Sequence, residues 1–153
     1  MAGALCSIDD VCVVTTVCGA AADTTANPDL LLEVPHAATR ARHFDRLRGQ
    51  LQGDYDEGLR DFFFVNTDVG APELAHAVAA GFVAADPRRT AVVVTSEIPR
   101  TFVDCNRSID RDAVATASKA GGMTPGLPPW VVDEGDRELL LDRYFAYRAV
   151  VAA

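Results

Sequence analysis

Eight residues, Arg100-Thr-Phe-Val-Asp104-Cys-Asn106-Arg107, set two guanidiniums, a carboxylate and an amide just after the apolar run Ala91 to Thr95. A buried strand that opens onto so many polar groups must leave each of them wet or partnered. An arginine fork holds a carboxylate through two parallel hydrogen bonds, so a small carboxylate-bearing ligand is the expected guest. The alternative is an Asp104–Arg107 ion pair that only staples a loop.

Two further polar positions follow apolar runs. His36 comes after Leu30 to Val34 by way of Pro35, and Asp68 comes shortly after Phe62 to Val65. In open α/β sheets, ligands bind beyond the carboxyl ends of the strands. Three polar motifs at three expected strand ends therefore point to one convergent site. A histidine and an aspartate there suit a Zn²⁺ site with mixed nitrogen and oxygen ligands. Each also has an ordinary role, His36 as a hydrogen-bonded structural residue and Asp68 as the cap of the next helix. His43 falls on a basic helix and His76 within another, and neither is expected at the site. Ser96 lacks the Gly-x-Ser-x-Gly elbow, which argues against a Ser-His-Asp triad.

The elements that must position these groups are legible in the pattern. Val11 to Val17 is β-branched and predicts a first strand, and Leu30 to Val34 predicts a second. Ala41, Phe44, Leu47 and Leu51 follow helical spacing, so Thr39 to Gln52 is a predicted helix with Arg40, Arg42, Arg46 and Arg48 as a solvated face. Phe62 to Val65 predicts a third strand. A helix should start near Pro72 and close at Pro87, with Leu74, Val78 and Phe82 inward and Ala75 and Ala79 beside them. Ala91 to Thr95 is the fourth expected strand. A short helix is expected from Asp110 to Lys119, then a long ordered loop or lid from Gly121 to Trp130. A last helix should run from Asp136, with Leu140, Tyr144, Tyr147 and Val151 on one stripe. Alternating strands and helices imply a single α/β domain, residues 1–153, with a mixed, largely parallel sheet flanked by helices.

At 153 residues, nearly half of them apolar, the chain can bury a sizeable core. The net charge of −8 argues against a nucleic-acid partner, because phosphate binding wants a basic face. No apolar run reaches the ~20 residues of a membrane span, and Met1 to Asp10 lacks the features of a signal peptide. None of Cys6, Cys12, Cys18 and Cys105 forms a Cys-x-x-Cys pair, so reduced thiols in a cytoplasmic protein are expected. The last helix reaches Ala153 without a glycine cap, which reads as a chain cut rather than finished.

Glu33-Val-Pro-His-Ala-Ala-Thr-Arg40, Asn66-Thr-Asp-Val-Gly-Ala-Pro-Glu-Leu-Ala75 and Ile98-Pro-Arg-Thr-Phe-Val-Asp-Cys-Asn-Arg107 together resemble the N-formylglutamate amidohydrolase family. The similarity runs from about Leu30 onward and includes Gly122-Met-Thr-Pro-Gly-Leu-Pro-Pro129. That family is similar to the zinc carboxypeptidases, whose mixed sheet is flanked by helices. The resemblance implies metal-assisted hydrolysis of the amide of an N-formyl or N-acyl amino acid such as N-formylglutamate, with zinc as the metal.

On this resemblance His36 matches the first metal-binding histidine. Thr39 stands where the carboxypeptidases place a glutamate ligand, and Asp68 is its substitute. Asn106 and Arg107 would bind the substrate carboxylate, Asp104 would orient them, and Arg100 would stabilise the oxyanion. Relatives carry a later His-Ser segment with another ligand, then a carboxylate general base. Neither has a counterpart here, and Arg148 stands where several relatives have histidine. Two protein ligands leave a zinc site open, since catalytic zinc usually has three. The chain is therefore expected to be the N-terminal part of an amidohydrolase, with part of the catalytic apparatus missing. The alternatives are a non-catalytic carboxylate-binding module and an inactive fragment, with a homodimer as one way to cover exposed faces.

Overall fold

The computed structural model describes residues 5–111 and 125–153. Along the chain run strands β1 (Cys12–Cys18) and β2 (Leu30–Val34), then helices α1 (Ala41–Arg48), α2 (Leu59–Val65) and α3 (Ala71–Ala85). Strand β3 (Thr90–Ser96) and helix α4 (Glu134–Val151) follow. The architecture is α/β, with a small mixed sheet of three strands and four helices among the described residues.

Strand β3 lies in the centre of the order β1-β3-β2, which explains its uninterrupted valine run. Both of its faces are covered, so every position from Thr90 to Val94 is buried. One face carries Val92 and Val94 into the larger core with Phe44 and Leu47 of α1, Phe63 of α2, and Leu140, Tyr144 and Tyr147 of α4. The other face sets Ala91 and Val93 against Ala79 and Val83 of α3. Strand β2 pairs with β3 in parallel and β1 pairs with it antiparallel, so the sheet is mixed but not largely parallel. No described helix is long and apolar enough to cross a membrane.

The expected third strand is a helix. Phe62 to Val65 has the aromatic and β-branched composition of a strand, but burial follows the helical spacing Leu59–Phe63. Phe63 is almost fully buried, with its ring 5.5 Å from Phe44, whereas Phe62 and Phe64 stay largely exposed. Asn66-Thr-Asp68 thus follows a helix rather than a strand.

In α3 the inward face is also revised. Ala71, Ala75, Ala79, Phe82 and Val83 meet the sheet, while Leu74 and Val78 are 65% and 44% exposed. Small residues four apart let the helix axis approach the sheet, and that approach turns the larger side chains away. The helix expected over Asp110 to Lys119 falls mostly outside the described residues, as does the Gly121 to Thr124 part of the expected loop. Residues 125–130 have no helix or strand. All four cysteines are free, with Cys12 and Cys105 buried.

Most of the basic face of α1 is solvated as expected, but His43 is not. Its ring is buried, and Nδ1 accepts the Arg40 N–H at 3.2 Å, closing the first turn. Burial, reinforced by Arg42, Arg40 and Arg46, pushes its pKa down to about 4. The unfolded chain therefore binds this proton more readily between pH 6.5 and 4. The neutral ring's contribution is present above pH 6.5 and is lost as pH falls towards 4. In urea unfolding, His43→Gln is expected to reduce the loss of stability between pH 6.5 and pH 4.5 by on the order of 2 kcal/mol. An unchanged slope would assign that pH dependence to other groups.

Candidate metal and carboxylate site

Parallel pairing of β2 with β3 brings both carboxyl ends to the same edge of the sheet. His36 leaves β2 there, and the Arg100–Arg107 segment leaves β3 there. Helix α3 runs back along the sheet, so the turn before it, which carries Asp68, lies at that edge too. Gly70 makes the turn possible with φ of 91°, a backbone region open to glycine without strain.

The segment that bears the polar groups is itself well anchored. Thr101 to Cys105 are buried, Phe102 stacks on Phe44 at 5.2 Å, and Tyr55 meets Phe102 edge-on at 5.7 Å. From α4, the Tyr144 hydroxyl donates to the Arg107 carbonyl at 2.7 Å. From the stretch after the undescribed residues, the Gly126 carbonyl accepts the Asp104 N–H at 2.7 Å. A side chain at Gly126 would meet Ile109 Cγ1 at 2.5 Å, so this close approach needs glycine.

His36 sits between two carboxylates. Its Nε2 lies 2.7 Å from Asp104 Oδ1 and its Nδ1 lies 2.9 Å from Asp68 Oδ2. Both ring nitrogens thus face a carboxylate oxygen, an arrangement that favours the protonated ring. Burial pulls the His36 pKa down, but the hydrogen bonds to Asp104 and Asp68 outweigh it and raise the value above 6.5. Burial pushes Asp104 the other way, and His36, the Asn106 N–H and Arg100 overcome it to hold its pKa below 3.8.

Asp104 is the hub. It is 4% exposed, accepts the Asn106 N–H at 2.9 Å, and faces Arg100 Nε at 3.1 Å and Arg107 Nε at 3.7 Å through its second oxygen. The resemblance implies that Asp104 orients Asn106 and Arg107; Asp104 contacts both, and its shortest bond, 2.7 Å, is to His36. Its contact with Arg107 remains, and Asn106 meets it through the backbone. Residues 36 and 104 are too far apart in sequence for periodicity to reveal the pairing. A polar residue at each of two adjacent parallel strand ends is the signal that would have found it. Burial pushes the thiol of Cys105, beside Asp104, up to about 12, which keeps it protonated near neutral pH.

The His36–Asp68 pair suits a metal ion. Ligand bonds of about 2.0 Å at a tetrahedral angle hold two donor atoms roughly 3.3 Å apart, so the pair need open by only a few tenths of an ångström. Asp104 on Nε2 leaves Nδ1 as the coordinating nitrogen once its proton is lost, the arrangement in which a carboxylate behind a histidine fixes ring and tautomer. Among the described residues no group of three or more His, Cys, Asp or Glu gathers as a ligand set. His36 Nδ1 and Asp68 Oδ2 are two atoms of the kind that coordinate metals, 2.9 Å apart.

No family model, no curated protein and no solved structure matches this chain.

Proposed function

We propose that this chain carries the metal-binding and carboxylate-binding part of an amidohydrolase acting on N-formyl or N-acyl amino acids. The observation that supports this most is the Asp104–His36–Asp68 relay, which holds one ring nitrogen from behind and points the other at a half-exposed carboxylate. His36 Nδ1 and Asp68 would hold a divalent ion, zinc by its preference for mixed nitrogen and oxygen donors. When bound, that ion supplies Lewis-acid polarisation of the acyl carbonyl and makes water acidic enough to attack near neutral pH.

The chain's own groups bind and orient. Arg107 and Asn106 take the substrate's carboxylate, with Arg107 steadied by Asp104. Arg100, 30% exposed on its side chain and hydrogen-bonded to Asp104, turns positive charge towards the edge where the acyl oxygen would gain negative charge. Asp104 thus couples the arginines to the histidine, so carboxylate binding and ring orientation share one buried group.

Calorimetry with N-acylglutamate, with and without chelator, tests this reading. Arg107→Ala is expected to weaken carboxylate binding by about tenfold to a hundredfold, the worth of a charge-assisted bond, with zinc binding little changed. Equal binding to the wild type and the variant would remove the assigned role. A second reading, a carboxylate-binding module without catalysis, is favoured by the two-donor set. It predicts ligand binding that chelator leaves unchanged.

A further inference from the structure

Arg107 lies where its segment leaves the core. Thr101 to Cys105 are buried, whereas Asn106, Ser108, Asp110 and Arg111 are exposed. Close packing holds the residues before Arg107, and past Cys105 hydrogen bonds to the backbone take over. The Arg107 N–H donates to the Asp104 carbonyl at 3.1 Å, which closes a turn. The Arg107 carbonyl accepts the Tyr144 hydroxyl at 2.7 Å.

That hydroxyl works in both directions. It also accepts the Ile109 N–H at 3.2 Å, so one oxygen of α4 spans the exposed Ser108 and ties the residues on either side of it. A phenol has one proton to donate and lone pairs to accept, and this arrangement uses both. Tyr144 is itself fixed: it is 3% exposed, belongs to the main core, and meets Phe145 edge-on at 5.0 Å. Arg111 continues the attachment. Its guanidinium stacks over Phe145 at 5.1 Å and reaches Glu138 at 3.1 Å and Asp142 at 2.6 Å, so the stretch from Arg107 to Arg111 is strapped along α4.

A side chain leaves its Cα in the direction that its two flanking peptide groups set. With both of those groups bonded, the Arg107 side chain has a fixed origin, from which Nε faces Asp104 Oδ2 at 3.7 Å. A guanidinium fork recognises a carboxylate by direction as well as by charge. An error of about 1 Å in such a group costs on the order of a hundredfold. The Tyr144 hydroxyl bonds the backbone on both sides of Ser108, so its influence on a ligand runs through Arg107.

We propose that Tyr144 is a positioning residue of the carboxylate site: from α4 it holds the Arg107 backbone in the orientation at which the guanidinium receives the carboxylate of an N-acyl amino acid. The proposal rests on the carboxylate-binding role given to Arg107 above. It gives Tyr144 no part in holding a metal.

Tyr144→Phe keeps the buried ring and removes only the hydroxyl. Calorimetry on the full chain, with zinc present, compares N-formyl-L-glutamate binding to the wild type, Tyr144→Phe, Arg107→Ala and the double variant. A separate titration with zinc alone reads the metal, and thermal melts keep every titration well below the unfolding midpoint. Tyr144→Phe is expected to weaken binding of the glutamate compound about tenfold and to leave zinc affinity within about twofold. On the Arg107→Ala background the same substitution is expected to change nothing further, because both act through one group. An equal loss in both backgrounds, or a parallel fall in zinc affinity, would mark a general loosening and overturn the proposal. Unchanged binding in Tyr144→Phe beside weakened binding in Arg107→Ala would overturn the positioning role and leave the carboxylate site standing. Full affinity in Arg107→Ala, or no binding to the wild type, would remove the carboxylate site and the positioning role with it.

Discussion

Asp136→Ala is expected to cost about 3–5 kcal/mol of folding stability, the range for removing one partner of a buried, hydrogen-bonded charge. The carboxylate is 2% exposed and accepts three bonds at 2.8 Å, from Gln52 N–H, Gly53 N–H and the Tyr55 hydroxyl. Its own N–H donates to the Asp133 side chain that caps α4, so one residue ties the start of the last helix to the chain after α1. Without it, two backbone donors and a buried phenol lose their acceptor. Leu51 and Tyr55 then lose the restraint that keeps them in the main core.

Burial pushes the Asp136 pKa up, but the bonds from Gln52, Gly53 and Tyr55 outweigh it and hold the group below 3.8. Its stabilisation is therefore present above pH 3.8 and is lost as pH falls through the lower folded value. Urea unfolding at neutral pH measures the effect, with Asp136→Asn expected to fall between wild type and alanine because its amide keeps one accepting oxygen. A loss below about 1 kcal/mol for alanine would show that water replaces the carboxylate at little cost.

Asp104→Ala should act on two readouts at once. Its removal takes away the acceptor of His36 Nε2 and the shared counter-charge of Arg100 and Arg107, all within a few ångströms. A stability loss of about 3 kcal/mol follows from removing a buried carboxylate that accepts from His36, Arg100 and the Asn106 N–H. Independently, zinc affinity should fall about tenfold to a hundredfold, because a ligand histidine without its carboxylate partner is no longer held in one tautomer and orientation. Calorimetric zinc titration of the folded variant, well below its unfolding midpoint, separates the two effects. A stability loss with unchanged zinc affinity would reduce Asp104 to a structural staple. Asp104→Asn keeps much of the shape and should recover part of the stability but little of the zinc affinity.

Much of the scaffold was legible because it is local. The valine run of β3, the extent of β2, the proline-started α3 and the Leu140–Tyr144–Tyr147 stripe of α4 all appear where the pattern puts them. Helix α2 was misread because propensity and burial disagree there. Three phenylalanines favour a strand, but only Phe63 has a place in the core, against Phe44. Asp136 was missed because nothing in a single-residue pattern marks an acid on the buried stripe of a helix as the acceptor for a loop some eighty residues earlier.

Taken by itself, the sequence determined which residue types were on hand for chemistry: a histidine after β2, an aspartate before α3, and an Arg-Asp-Asn-Arg group after β3. Those are statements about short stretches, which local propensity and spacing can carry. Tertiary structure alone decided that His36 belongs to Asp104 as well as to Asp68, because that contact follows from the parallel register of β2 on β3. It also decided that Phe62 faces Trp130, since a helix presents to its neighbours the ring that a strand would have buried.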